Sequence, residues 1–385
     1  YSTSVYSIGT SVFLDPVFSC PGDRNPRYMR ILRVAQKVYP DVKGGGPYHV
    51  HAMSRDQAAM GHDVTLLTVR HDESLPHLEK RAGYTVVRYD PACSALGNDI
   101  SPGLARYLFS ANDFDVVHAH SHLYFSTNLA ALRRRLGDVP LALTNHGLYS
   151  QSAPKWVFDL YLRSVGRWTF NQADVVFCYT DEDRGRVREF GVDSRIEVVS
   201  NGIDTERFTP EGDGSDRIDH EGNVVLFVGR LVEGKRPQDP VRAVARLPDE
   251  LDAKLYMVGD GPMRSDLEEM AGDEVTFLGQ VPYEGMPRVY RSGDVLVLPS
   301  RAEGLPRTIL EAMCSGLPVV ISDLEQIASV VGDSGVRVSV GDVDGFVSGL
   351  EAMLEGGYED PRSIIEGSFD WAETVERTTE VLEGL

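Results

Sequence analysis

The sequence predicts an α/β protein built from two doubly wound, parallel-sheet domains, and three observations carry that prediction. Short apolar runs alternate with helical stretches along the whole chain, the pattern of βαβ units. A breaker-rich, acidic stretch, Phe208-Thr-Pro-Glu-Gly-Asp-Gly-Ser-Asp216, interrupts the alternation near the middle, as a linker does. The pattern then restarts at Val224-Val-Leu-Phe-Val-Gly-Arg230. A chain of 385 residues is long for one core and comfortable for two.

The first domain is expected over residues 29–204, with strands at 31–34, 64–69, 85–89, 115–118, 141–144, 175–179 and 196–199. Helical stretches lie between them at 47–60, 123–136 and 155–172, the last rich in aromatic residues. The linker spans 205–222. The second domain, 223–368, begins at the Val224 strand and continues with strands at 254–258, 275–278, 295–298 and 319–322. Behind Asp370, a suitable N-cap, residues 369–385 carry the amphipathic pattern of a terminal helix. Residues 1–28 lack periodicity and hold Cys-Pro-Gly and Asn-Pro breakers. The fold is expected to begin at Met29, read as the initiator, with residues 1–28 a tail outside it.

A net charge of −20 repels phosphate backbones and argues against a nucleic-acid partner. Strong acidity with only six lysines among 38 basic residues is expected of a halophile-like acidic surface in a high-salt cytoplasm, with a G+C-rich genome as the alternative source of the lysine scarcity. No apolar run approaches the ~20 residues that span a bilayer. Cys20, Cys93, Cys178 and Cys314 are scattered without metal or disulfide spacing, which fits a reducing compartment. No acidic or His/Cys grouping points to a metal.

Chemistry concentrates in the loops at strand ends. The apolar run Asp294-Val-Leu-Val-Leu-Pro299 leads into Glu303-Gly304-Leu305-Pro306, and the helix that follows carries Glu311. Pro306 suits a first helical position because its missing N–H has no partner there. Two acids at a helix mouth, beside free N–H groups that attract phosphate, suit a ligand with both hydroxyls and phosphates. A nucleotide sugar is such a ligand. Arg230 and Lys235 flank another strand-to-helix loop, where a planar fork and a mobile point charge can clamp a diphosphate. Gly44-Gly45-Gly46-Pro47 opens a helix, and glycine there lets the backbone approach an anion. His118, His120 and His122 lie at the end of a strand, and not all three are expected to face one cleft. His146 ends the next strand; His49 and His51 are expected on a solvated helix face.

The run Pro299-Ser-Arg-Ala-Glu303-Gly-Leu-Pro306-Arg-Thr-Ile-Leu-Glu311-Ala-Met-Cys-Ser-Gly316-Leu-Pro-Val-Val320 resembles the Glu-x7-Glu signature of family 4 retaining glycosyltransferases. These have the GT-B fold, two Rossmann-like domains facing a central cleft. The resemblance covers residues 29–385, with Pro306 where many relatives carry glycine. It implies that Glu303 contacts the donor sugar, that Glu311 holds the ribose, and that Arg230 and Lys235 neutralise the diphosphate. It places Gly45 and Gly46 near the donor phosphates, and Val281, Gly304 and Leu305 around the donor. His120 would lie by the anomeric carbon with His118 behind it, and His146 would line the acceptor side. The terminal helix would cross back onto the first domain, and no metal or other cofactor would be needed.

The expected function is transfer of a sugar from a UDP-, GDP- or ADP-linked donor to a sugar, lipid-linked or small-molecule acceptor. A cytoplasmic protein, peripheral at the inner membrane face at most, is expected. Its one basic cluster, Arg133-Arg134-Arg135, reads as a solvated helix end rather than a lipid dock. A nucleotide-sugar epimerase on the same fold and a non-catalytic sugar-nucleotide-binding subunit are the alternatives.

Overall fold

The computed structural model describes residues 28–95, 97–149 and 155–385, so all of the expected tail but Tyr28 lies outside the described residues. Ten strands precede residue 205 among them: β1 (Arg30–Val34), β2 (Asp63–Val69), β3 (Leu78–Arg81), β4 (Tyr84–Tyr89), β5 (Cys93–Ala95), β6 (Asn98–Ile100), β7 (Val116–His120), β8 (Leu141–Thr144), β9 (Val175–Cys178) and β10 (Arg195–Val198). Eight form one sheet in the order β10-β9-β8-β7-β1-β2-β4-β3, parallel except for β3 at the edge. Six more follow: β11 (Asn223–Val228), β12 (Ala253–Val258), β13 (Val275–Gly279), β14 (Val295–Leu298), β15 (Val319–Ser322) and β16 (Gly335–Val338). They pair in parallel as β13-β12-β11-β14-β15-β16.

Both sheets reverse winding direction beside their first strand, between β1 and β7 and between β11 and β14. Loops leaving the carboxyl ends of such neighbours diverge and open a crevice. The glycine run, Arg230 with Lys235, and Glu303 lie in three of these four loops, and His120 ends β7 at the mouth of the fourth. Central strands such as β8 (Leu-Ala-Leu-Thr) and β9 (Val-Val-Phe-Cys) are buried at every position, because helices cover both faces of a parallel sheet. Alternation along the strands divides the first core in two, with Leu32, Leu67 and Leu143 on one face and Ile31, Leu66 and Val116 on the other.

Three features depart from expectation. Strand β3, the β5–β6 hairpin and β16 had not been expected; Leu-Glu-Lys-Arg and Cys-Ser-Ala are too polar or short to read as strands. Strand β7 runs to His120, two residues further than expected. The aromatic stretch is helical from Lys155, but a π turn at Leu162–Gly166 interrupts it, with the Arg167 N–H reaching the Leu162 carbonyl.

The chain crosses between the sheets twice. Ile203 on the outward crossing and Asp370 on the return pair as a parallel bridge. Ile203 N–H donates to Phe369 O (2.7 Å) and Trp371 N–H to Ile203 O (3.0 Å). The terminal helix, Trp371–Glu383, is capped by Asp370, whose carboxylate accepts from Glu373 N–H (3.1 Å). It lies on the helix Gly45–Ala59, where Trp371 Nε1 donates to Asp56 (2.6 Å) and Gln57 Nε2 to Thr379 (2.9 Å). Leu382 completes the first core. Among the described residues no helix is long and apolar enough to cross a membrane.

Candidate active site

His118 and His120 are two residues apart on β7, so their side chains share a face. Their ring centroids lie 4.4 Å apart. His118 is held by Thr144 Oγ1 (2.8 Å) and by Arg33 (3.3 Å), a fully buried guanidinium from β1 that also donates to Ser54 and Gln57. Burial lowers the pKa of Arg33 to about 9. His120 Nδ1 meets His146 Nε2 at 3.1 Å, and His146 Nδ1 meets the Tyr179 hydroxyl at 2.7 Å. Whichever way the protons point along this chain, His120 Nε2 is buried with no protein partner among the described residues. An unsatisfied buried nitrogen costs on the order of 1–3 kcal/mol, which a bound polar ligand relieves.

His49 corrects the expectation of a solvated helix face. It is buried, its Nδ1 lies 2.9 Å from Asn201 Oδ1, and its ring packs edge-on against His146 and Trp371. His51 is half-buried and bonds Tyr84 OH (2.8 Å). The helix lies between the first sheet and the terminal helix, so the side read as wet is covered. Burial drives His49, His118 and His120 well below the ordinary imidazole range and takes His146 to about 4. The cluster is neutral at pH 7.

Across the crevice, Lys235 ends a short turn after β11 and donates to the Glu303 carboxylate in the loop after β14. Glu303 is 3% exposed, and its carbonyl accepts from Gln326. The two residues expected to hold separate parts of a donor therefore meet. Arg230, in the same loop as Lys235, is exposed. Glu311 is buried on the helix Arg307–Cys314, accepting from Tyr290 OH (2.9 Å) with Arg307 Nε 3.6 Å away. Burial raises its pKa while Arg307 opposes the rise. Pro306 is the extended residue before the helix rather than its first member, another correction; its ψ of 123° does not fit the helical region.

Arg307, which the sequence reading passed over, joins the parts. It donates to Gly202 O (2.9 Å) and Tyr283 OH (3.2 Å) and lies over the rings of Tyr48 and Trp371. Its place four residues before Glu311 on one helix was a readable signal. Gly45 and Gly46 begin their helix, and added Cβ atoms there would touch Arg307 (3.5 Å) and His146 (3.8 Å). Gly304 abuts the other half: its Cβ would sit 2.6 Å from His146 O. Leu305 is buried, its carbonyl accepting from Asn201 (3.3 Å), while Val281 is half-buried against the second core. Lys43 reaches Gln280 (2.6 Å) across the same crevice. Among the described residues no group of three His, Cys, Asp or Glu could hold a metal ion.

Residues 43–207 match Glycosyltransferase Family 4, and residues 222–356 match Glycosyl transferases group 1. The chain is 30% identical to the phosphatidyl-myo-inositol mannosyltransferase of Mycolicibacterium smegmatis, over 89% of this chain and 91% of that protein. It is 25% identical to an uncharacterized glycosyltransferase of Methanocaldococcus jannaschii, over 85% and 89% of the two chains. Among solved structures it resembles sucrose-phosphate synthase from Thermosynechococcus elongatus, with TM-score 0.78 and 19% identity over 92% of this chain and 98% of that one. It also resembles Anabaena HepE in complex with UDP-glucose, with TM-score 0.73 and 17% identity over 93% and 100%. The chain belongs to family 4 of the glycosyltransferases and has the GT-B fold.

Proposed function

We propose that the chain is a retaining glycosyltransferase that moves a sugar from a nucleotide-diphosphate donor to an acceptor hydroxyl in glycan, glycolipid or glycoconjugate synthesis. The carrying observation is the Lys235–Glu303 contact, which puts a cation and a carboxylate within reach of one bound molecule. HepE, solved with UDP-glucose, lends support to a nucleotide-sugar donor. The donor lies on the second half, with Glu311 on its ribose, Glu303 on its sugar, and Val281, Gly304 and Leu305 around it. Gly45 and Gly46 face the donor phosphates, and the acceptor enters past His146. The bond from the anomeric carbon to the diphosphate oxygen breaks, the acceptor oxygen bonds to that carbon, and its proton passes to the departing phosphate. Leaving and entering groups use one face, so the configuration is retained without a protein nucleophile. Arg230 and Lys235 take up the leaving-group charge, the role a metal plays elsewhere. His120, neutral, offers a hydrogen bond beside the reacting carbon.

A thermal-shift screen against UDP-, GDP- and ADP-sugars identifies the donor, because a ligand of the folded state raises the apparent midpoint. Acceptor-dependent release of nucleoside diphosphate, with the product anomer read by NMR, tests the reaction. Lys235→Ala is expected to lower kcat at saturating donor by about 10²–10³-fold. An unchanged kcat would remove Lys235 from the charge-bearing role. A new sugar isomer from donor alone, without diphosphate release, would make the protein an isomerase.

A further inference from the structure

Net charge is unevenly placed. Residues 29–204 hold 20 acidic and 20 basic side chains, whereas residues 205–385 hold 36 acidic and 16 basic ones. Within the neutral half, residues 102–172 carry seven basic side chains against four acidic ones. That stretch also holds an unusual apolar surface. Trp156 is 71% exposed and Leu160 63%, with Val165 and Trp168 following on the same helical segment. Leu132 and Leu136, one turn apart on the adjoining helix Phe125–Leu136, are exposed as well.

Trp156 and Trp168 are twelve residues apart, which on a regular α-helix puts them about 120° apart around the axis. The π turn at Leu162–Gly166 inserts one extra residue and takes back about 100°. Both indoles therefore come to one side with Leu160. Arg163, against the Phe190 ring (5.6 Å), and Arg167, beside Gly191, flank them; Asp159 is the one acid between 155 and 172. The inner face of the same segment buries Phe158, Leu162 and Phe170, and Tyr161 OH donates to the His122 carbonyl (2.5 Å). The segment thus backs onto the strand end that presents His120.

We propose that residues 156–168 form a docking face that seats the first half of the molecule on an anionic lipid bilayer. Indoles with flanking arginines match the headgroup layer, where apolar bodies insert and guanidinium groups meet phosphate. A second copy of this chain would bring the same arginines against them, and like charge opposes that pairing. Docked this way, the acceptor side of the cleft adjoins the lipid surface while the strongly acidic second half is held away from it.

The test uses the full chain at a salt concentration that keeps it folded by circular dichroism. Vesicles are phosphatidylcholine alone, or mixed with phosphatidylglycerol, with brominated chains as quencher. Trp371 is buried, so quenching reports Trp156 and Trp168. Sedimentation with the anionic vesicles, with quenched emission, is expected. Trp156→Ser with Trp168→Ser should weaken partition at least about tenfold and abolish quenching. Arg163→Glu with Arg167→Glu should weaken binding to the anionic vesicles alone by a similar factor. Should the double tryptophan variant misfold, Trp156→Ser alone decides, since that indole is mostly in solvent. Absence of sedimentation with anionic vesicles overturns the proposal, as does binding indifferent to all four substitutions. A concentration-dependent dimer that Trp156→Ser abolishes, with vesicles left unbound, overturns it in favour of self-association. Binding is read without turnover, so it stands or falls apart from the transferase reading.

Discussion

Lys235 and Glu303 are each nearly buried, so each relies on the other for its charge balance. Removing one strands the other, and Glu303→Gln or Lys235→Met should each cost roughly 1–3 kcal/mol in urea unfolding. The double variant should cost less than the sum; strict additivity would refute the coupling. The histidines make a second prediction. His49, His118, His120 and His146 have folded-state pKa values below the unfolded value near 6.5, so their stabilising contribution is complete above that pH. As pH falls from about 6.5 toward 4, the unfolded chain takes up protons that the folded one refuses. Each such group steepens the loss by about 1.4 kcal/mol per pH unit. Thermal midpoints flat between pH 7 and 5 would contradict this.

Among the elements, the loops after β8 and β14 meet backbone to backbone, with an added Cβ on Gly147 lying 3.0 Å from Gly304 Cα. Gly304→Ala must push the halves apart there. Since small misplacements of reacting groups are costly, kcat/KM is expected to fall by about 10–100-fold. Circular dichroism should stay native; native kinetics would show that the contact is not kept during turnover. Apolar strands of the sheet interiors were legible because burial on both faces leaves no polar positions to confuse the pattern. The polar edge β3 and the partly exposed edge strand β16, Gly-Val-Arg-Val, lacked that signal. The π turn has no sequence mark at all, since one shifted hydrogen bond distinguishes it. The placement of Lys235 and Glu303 in the loops after β11 and β14, and of Glu311 on the helix that follows, was legible from motif and spacing. The burial of His49 was not, because it depends on a terminal helix more than 300 residues away in sequence, packed through Trp371.

For the whole molecule, the excess negative charge lies after residue 204, so self-repulsion concentrates in the second half. Added salt screens it, and the thermal midpoint should rise as sodium chloride is raised from 0.1 M toward 1 M, where the screening length drops from about 10 Å to 3 Å. A midpoint that falls with salt would refute that origin. The bridge between Ile203 and Asp370 has a kinematic consequence. A single tether lets two bodies tumble freely, but two side-by-side connections clasped by hydrogen bonds leave one easy swing, about a line running through both. Like a door hung on two pins, the half that carries Lys235 and Glu303 can part from His120 and return to it along one arc, arriving each time in the same alignment.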